Sequence, residues 1–180
     1  MIGGTCAMPP KFSSRIPWRE KLERQQQPKI VDITPRMQSR LGRGRMVIPR
    51  PLDVDALIRR VPKGKLVTVL QLRQELAKRS KVDVACPLCT GIFVRIADEA
   101  ADEERRAGKK VVTPFWRVIG GEGRLNPKFP GGASAQKRCP DLRRAQSGSR
   151  YRQEANRGSK LSGCSRQILS HLREVLIQLP

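Results

Sequence analysis

Aromatic side chains are scarce in this chain of 180 residues: four Phe, two Trp and one Tyr, 4% in all. So few rings, in a chain that is 29% charged, exclude a core spread over the whole length. Carboxylates are also short, with 16 Asp and Glu against 37 Lys and Arg. The only histidine is His171, so a histidine-rich metal centre is excluded. Five cysteines (Cys6, Cys86, Cys89, Cys139 and Cys164) are odd in number and scattered, which is not a disulfide framework. A reducing compartment, cytoplasm or nucleoid, is the expectation. No run approaches the ~20 apolar residues of a membrane span. The opening MIGGTCAMPPKF lacks the basic and long apolar regions of a secretory signal. Walker loop, dinucleotide-binding glycines and paired carboxylates are all missing, so neither a cofactor nor a small-molecule substrate is expected.

What is abundant is positive charge: net +21, with a pI near 11.1. Such an excess points to a polyanion, because each phosphate neutralised by Lys or Arg releases condensed counterions. Residues 1–50 hold 11 Lys/Arg against 3 Asp/Glu, and residues 141–180 hold 8 against 3. Residues 51–140 are more mixed, 18 against 10, and carry the longest apolar patterns. The expected organisation is therefore a basic Pro-rich arm over 1–50, a folded domain over 51–140, and a basic tail. Ile16-Pro-Trp18 and Lys29–Ile33 are candidates to pin the arm to a surface, and Met46–Ile48 reads as an edge strand. In the tail, a possible amphipathic helix over 166–179 follows from the spacing of Ile168, Leu169, Leu172, Val175, Leu176 and Leu179.

Within 51–140, Val54, Leu57, Ile58 and Val61 recur at helical spacing with Asp53 as cap. Leu66–Val69 is β-prone, Leu70, Leu72 and Leu76 predict a second helix to about Arg79, and a third runs from near Leu88–Gly91 to about Arg106. Lys109–Thr113 reads as a strand with Arg117–Ile119 as its partner. Three helices with a β-hairpin wing make a winged helix-turn-helix, mainly α with small β, whose third helix enters a groove of duplex DNA. Thr90, Gly91 and Arg95 would face the duplex from that helix. Glycine permits close approach, and Arg95 reaches a phosphate or base edge unless it pairs with Asp98 or Glu99. The acidic stretch Asp98–Glu104 would face away.

The stretch VVTPFWRVIGGEGRLNPKFPGG then carries a resemblance. Val61-Pro-Lys-Gly-Lys-Leu-Val-Thr68 with Gln71-Leu72, Pro114-Phe-Trp-Arg-Val118, Gly123-Arg-Leu125 and Gly131-Gly132 follow one another in the order and spacing of a known family. Over Val54–Lys137 the chain resembles the DNA-binding domain of the O6-alkylguanine-DNA alkyltransferases and the alkyltransferase-like proteins, and looks like a branch without the acceptor cysteine. The resemblance implies double-stranded DNA as partner, other repair proteins downstream, and a flipped base held in a pocket. It sets Phe115 and Trp116 where the family has its Cys and His, Val69 where many members have a tyrosine, and Gly91 near the arginine that fills the gap left by the flipped base, with Arg95 as the substitute. Neither Phe115 nor Trp116 accepts an alkyl group, so an enzyme is not expected at that position.

Phe115, Trp116 and Val69 are thus the expected base pocket, with at most one of the two rings facing it, since neighbours on an extended backbone point to opposite faces. Arg117, Arg124 and Lys128 complete the expected DNA contacts, Arg117 also as a structural clamp. Two alternatives stand beside this: a methyltransferase using Cys86 or Cys89, and a general nucleic-acid binder acting through its arms. Cys86-Pro-Leu-Cys89 itself reads as loop packing, because no second pair completes a zinc site.

Overall fold

A computed structural model describes residues 14–120, 124–126 and 128–139. The expected tail helix at 166–179 lies outside them. The described chain is mainly α with small β. In order, α1 (Trp18–Glu23), β1 (Lys29–Asp32), α2 (Pro35–Leu41) and β2 (Arg45–Ile48) precede α3 (Pro51–Arg59). Then come β3 (Val67–Thr68), α4 (Val69–Arg79), β4 (Val84–Ala85) and α5 (Pro87–Arg106). A 3-10 turn at Phe115–Arg117, β5 (Val118–Ile119) and α6 (Gly132–Lys137) follow.

Helix boundaries follow from local chemistry. Pro51 opens α3 with its φ already set. Asp53 is not the cap but sits one turn in: its carboxylate accepts the Arg50 N–H at 3.0 Å and pairs with the guanidinium at 2.6 Å. Burial pushes that carboxyl up, yet the Arg50 contacts outweigh it and hold it below its usual range. Thr68 caps α4 reciprocally with Gln71, its hydroxyl accepting Gln71 N–H at 3.1 Å while Gln71 Oε1 accepts the Thr68 N–H at 2.8 Å. The last turn of α5 runs out at Gly108, whose φ of +85° a glycine adopts without strain.

The main core joins Val54, Leu57 and Ile58 of α3, Leu72 and Leu76 of α4, and Val94 and Ala97 of α5. Leu22 of α1 and Val47 of β2 belong to the same cluster, so residues 14–50 pack on the body and are not a separate arm. β2 is central, not an edge: it pairs antiparallel with β1 (Lys29↔Ile48) and parallel with β4 (Met46↔Val84).

The hairpin expected from Lys109–Thr113 against Arg117–Ile119 is not formed. Thr113 is buried and its hydroxyl donates to Asp55 of α3 at 2.6 Å, which pulls the segment onto a helix. Val118–Ile119 pairs instead with Val67–Thr68, in parallel. Gln136 of α6, fully buried, closes this region. Its amide donates to the Val118 carbonyl at 2.6 Å, and its oxygen accepts the Asn126 N–H at 2.9 Å.

Candidate nucleic-acid interface

α5 divides into two halves with opposite surroundings. In the first, Leu88 (72% exposed), Gly91 and Ile92 (48%) face solvent. These positions with Arg95 follow the i, i+3, i+4, i+7 pattern of one helix face. In the second half Ala97, Asp98, Ala100, Ala101 and Asp102 are buried against the rest of the chain. Thr90, Val94, Ala97 and Ala101 keep one buried stripe along the whole helix, and the later turns are covered on further sides, where Arg19 of α1 reaches Glu103 and Glu104.

The acids of the second half are turned inward and largely neutralised, not simply aimed away. Asp102 pairs with Arg105 and Arg106, each at 2.6 Å. Glu104 pairs with Arg19 of α1 and with Lys109, the latter at 3.0 Å. Burial pushes Glu104 up, but the Lys109 hydrogen bond and the Arg19 charge hold it below the usual carboxylate range. Asp98 differs. It is 1% exposed, its Oδ1 accepts no hydrogen bond, and burial raises it well above an ordinary carboxyl.

The expected contact residues separate. Thr90 is fully buried and its hydroxyl donates to the Cys86 carbonyl at 2.8 Å, so it anchors the helix start and presents nothing outward. Gly91 is exposed with open space around its Cα. Arg95 is half-buried, 4.0 Å from Glu99 and with its guanidinium 5.8 Å from the Trp18 ring centre. Arg117 donates to the Val61 carbonyl at 2.5 Å, a clamp between the 3-10 turn and the end of α3. Arg124 and Lys128 are exposed. They lie beyond β5, well separated in sequence from α5.

Of the expected pocket, Phe115 is core: 3% exposed, stacked on Phe129 with ring centres 5.0 Å apart. Trp116 is half-buried, edge-on to Phe115 at 5.4 Å, with the Arg117 guanidinium 6.0 Å from its ring. The backbone here is a 3-10 turn and not extended, so the two rings touch instead of parting to opposite faces. Val69 is half-buried against the main core. Phe115 and Val69 therefore sit in two different clusters.

Cys86 is buried and Cys89 half-buried at the start of α5. Burial, then the neighbouring Cys86 thiol, pushes Cys89 up to about 11. At neutral pH that thiol is protonated and a poor nucleophile. Among the described residues no cluster of three His, Cys, Asp or Glu side chains could hold a metal, and no helix is long and apolar enough to cross a membrane.

Sequence reasoning did not single out the exposed apolar pair Leu88 and Ile92, which no periodicity distinguishes from a core pair, whereas Trp18, a candidate to pin the arm, does pack against the main core. Set against models of protein families, curated proteins and solved structures, the chain matches none.

Proposed function

We propose that the protein is a non-enzymatic binder of duplex DNA that uses α4 and α5 as a helix-turn-helix and recognises modified bases, such as O6-alkylguanine, for other repair proteins. One observation carries the reading: the exposed face of α5 holds Leu88, Gly91, Ile92 and Arg95, while the helix's acids are turned inward. The carboxylate beside that face is Glu99, buried and 4.0 Å from Arg95, and the chain carries net charge +21. Trp116, the half-buried ring at the motif position, is the surface on which a flipped base would stack, a contact worth ~1–3 kcal/mol. The part of the wing falls to the segment after β5, which carries Arg124 and Lys128.

Methyl transfer through Cys86 or Cys89 gains no support from a buried Cys86 and a half-buried Cys89 whose thiol is pushed up to about 11. The experiment is binding of wild-type, Arg95→Ala and Trp116→Ala proteins to matched plain and O6-methylguanine duplexes, with intact mass recorded afterwards. Arg95→Ala weakens binding to both duplexes, Trp116→Ala erodes the preference for the modified one, and no alkyl mass appears. Equal wild-type affinity for the two duplexes removes damage recognition, and unchanged binding in both variants moves the contact surface elsewhere.

A further inference from the structure

Most arginines on the helices are already committed. Arg19, Arg50, Arg59, Arg79, Arg105 and Arg106 each pair with a carboxylate of their own or a neighbouring helix. The turn from Pro35 to Arg45 is different. It reads PRMQSRLGRGR, four arginines and no acid in its sequence. All four are exposed. Arg36, Arg40 and Arg43 form no ion pair among the described residues.

This turn is built and placed, not loose. Met37 and Leu41, one helical turn apart on α2, pack in a cluster with Cys86 and Cys89 at the start of α5. That face of α2 is taken, which turns Arg36 and Arg40 to solvent beside the exposed end of α5. At its other end the turn is locked to the body through Asp83, just before β4. The Asp83 carboxylate accepts the Arg45 N–H at 2.7 Å and lies against Gly44. With φ at +124° and Asp83 occupying the place of a Cβ, position 44 accepts only glycine without rearrangement. The Asp83 carboxylate is thus spent on backbone, and the other acid beside the turn, Asp32, lies opposite Arg45 in the β1–β2 register, away from Arg36 and Arg40 on α2.

We propose that the Pro35–Arg45 turn is a second anchor for duplex DNA, gripping the phosphate backbone that flanks the groove entered by α5. This rests on the DNA-binding reading above and adds a surface to it. A groove is ~6–12 Å wide, so side chains one short helix away from α5 meet the bordering phosphates. Such contacts position the protein and carry no base information.

The test is the salt dependence of binding to a plain duplex, measured by fluorescence anisotropy on the full chain. Each phosphate contact contributes about 0.9 to the slope of log K against log salt. The triple variant Arg36→Ser, Arg40→Ser, Arg43→Ser is expected to flatten that slope by about two to three. Its thermal midpoint should be unchanged, because all three side chains are exposed. Lys110→Ser is the control, an exposed residue just beyond the far end of α5, a helix of 20 residues and about 30 Å long. Its slope should match wild type. If wild type binds and the triple variant keeps the same slope, the second anchor is overturned while the α5 reading stands. An equal loss per charge at Lys110 also overturns it, as bulk charge. Tighter binding to double-stranded RNA or to phosphatidylserine vesicles overturns duplex DNA as the partner, and no binding by wild type overturns both proposals.

Discussion

Asp98 should make the stability of this protein fall as pH rises, and Asp98→Asn should remove that fall. The carboxyl is buried on α5 with Oδ1 unpartnered, and the neighbouring charge acting on it is the like charge of Glu99. Both effects favour the protonated form in the folded state. In the unfolded chain the same group ionises in the ordinary carboxylate range. Above that range the folded protein holds a proton that the unfolded one has lost, so stability drops by up to about 1.4 kcal/mol per pH unit until the folded pKa is passed. Asn keeps the shape and the unpartnered oxygen but cannot ionise. Urea unfolding followed by far-ultraviolet circular dichroism, from about pH 4 to 7, gives the curves. The variant's advantage should be smallest at the acid end and widen with pH. Glu104 and Asp53 titrate in both proteins and cancel in the difference, whereas Glu99, whose charge acts on Asp98, contributes to the same widening gap. A gap between the two curves that does not change with pH refutes the reasoning, because it would mean the carboxyl enters the fold without a change in its proton affinity.

Three further outcomes test the structure. Thr68→Ala removes one half of the reciprocal cap on α4 and should cost about 1 kcal/mol in chemical denaturation. Phe115→Ala should cost about 3–5 kcal/mol, since the ring is enclosed and stacked on Phe129, whereas half-buried Trp116→Ala should cost clearly less; equal losses would place both rings in the core. Alkylation of Cys89, followed by peptide mass mapping, should be slow at neutral pH and accelerate as pH climbs toward about 11; rapid labelling at neutral pH would show a thiolate and revive covalent chemistry.

Helices were the legible part of this sequence, because their signals are local. The spacing of Leu70, Leu72 and Leu76 marked α4, and that of Val54, Leu57 and Ile58 marked α3. Sheet pairing was not legible. Val118–Ile119 has nothing nearby in sequence to announce that its partner is Val67–Thr68, and the β-prone Val111–Val112 offered a closer, wrong one. In the fold Thr113 instead donates a buried hydrogen bond to Asp55, a contact between residues 58 positions apart, and Val112 packs with Phe115 and Phe129. The candidate site was legible in kind and less so in detail. Position 95 on one face with Gly91 followed from spacing, but Thr90 was one residue off that face and is buried. Charge density suggested a basic arm before residue 50, separate from the folded domain. Leu22 and Val47 are sparse there, yet each finds a complete apolar surround, and that is invisible until the partners are in place.

Gln136 sets a limit on how the protein can be cut down. One side chain near the end of the described chain supplies both a donor for a β5 carbonyl and an acceptor for the Asn126 amide. A shortened version ending before it would leave the buried Val118 carbonyl without its donor and the Asn126 amide without its acceptor. Trimming of the basic C-terminal residues, for crystals or for binding assays, therefore has to begin after α6.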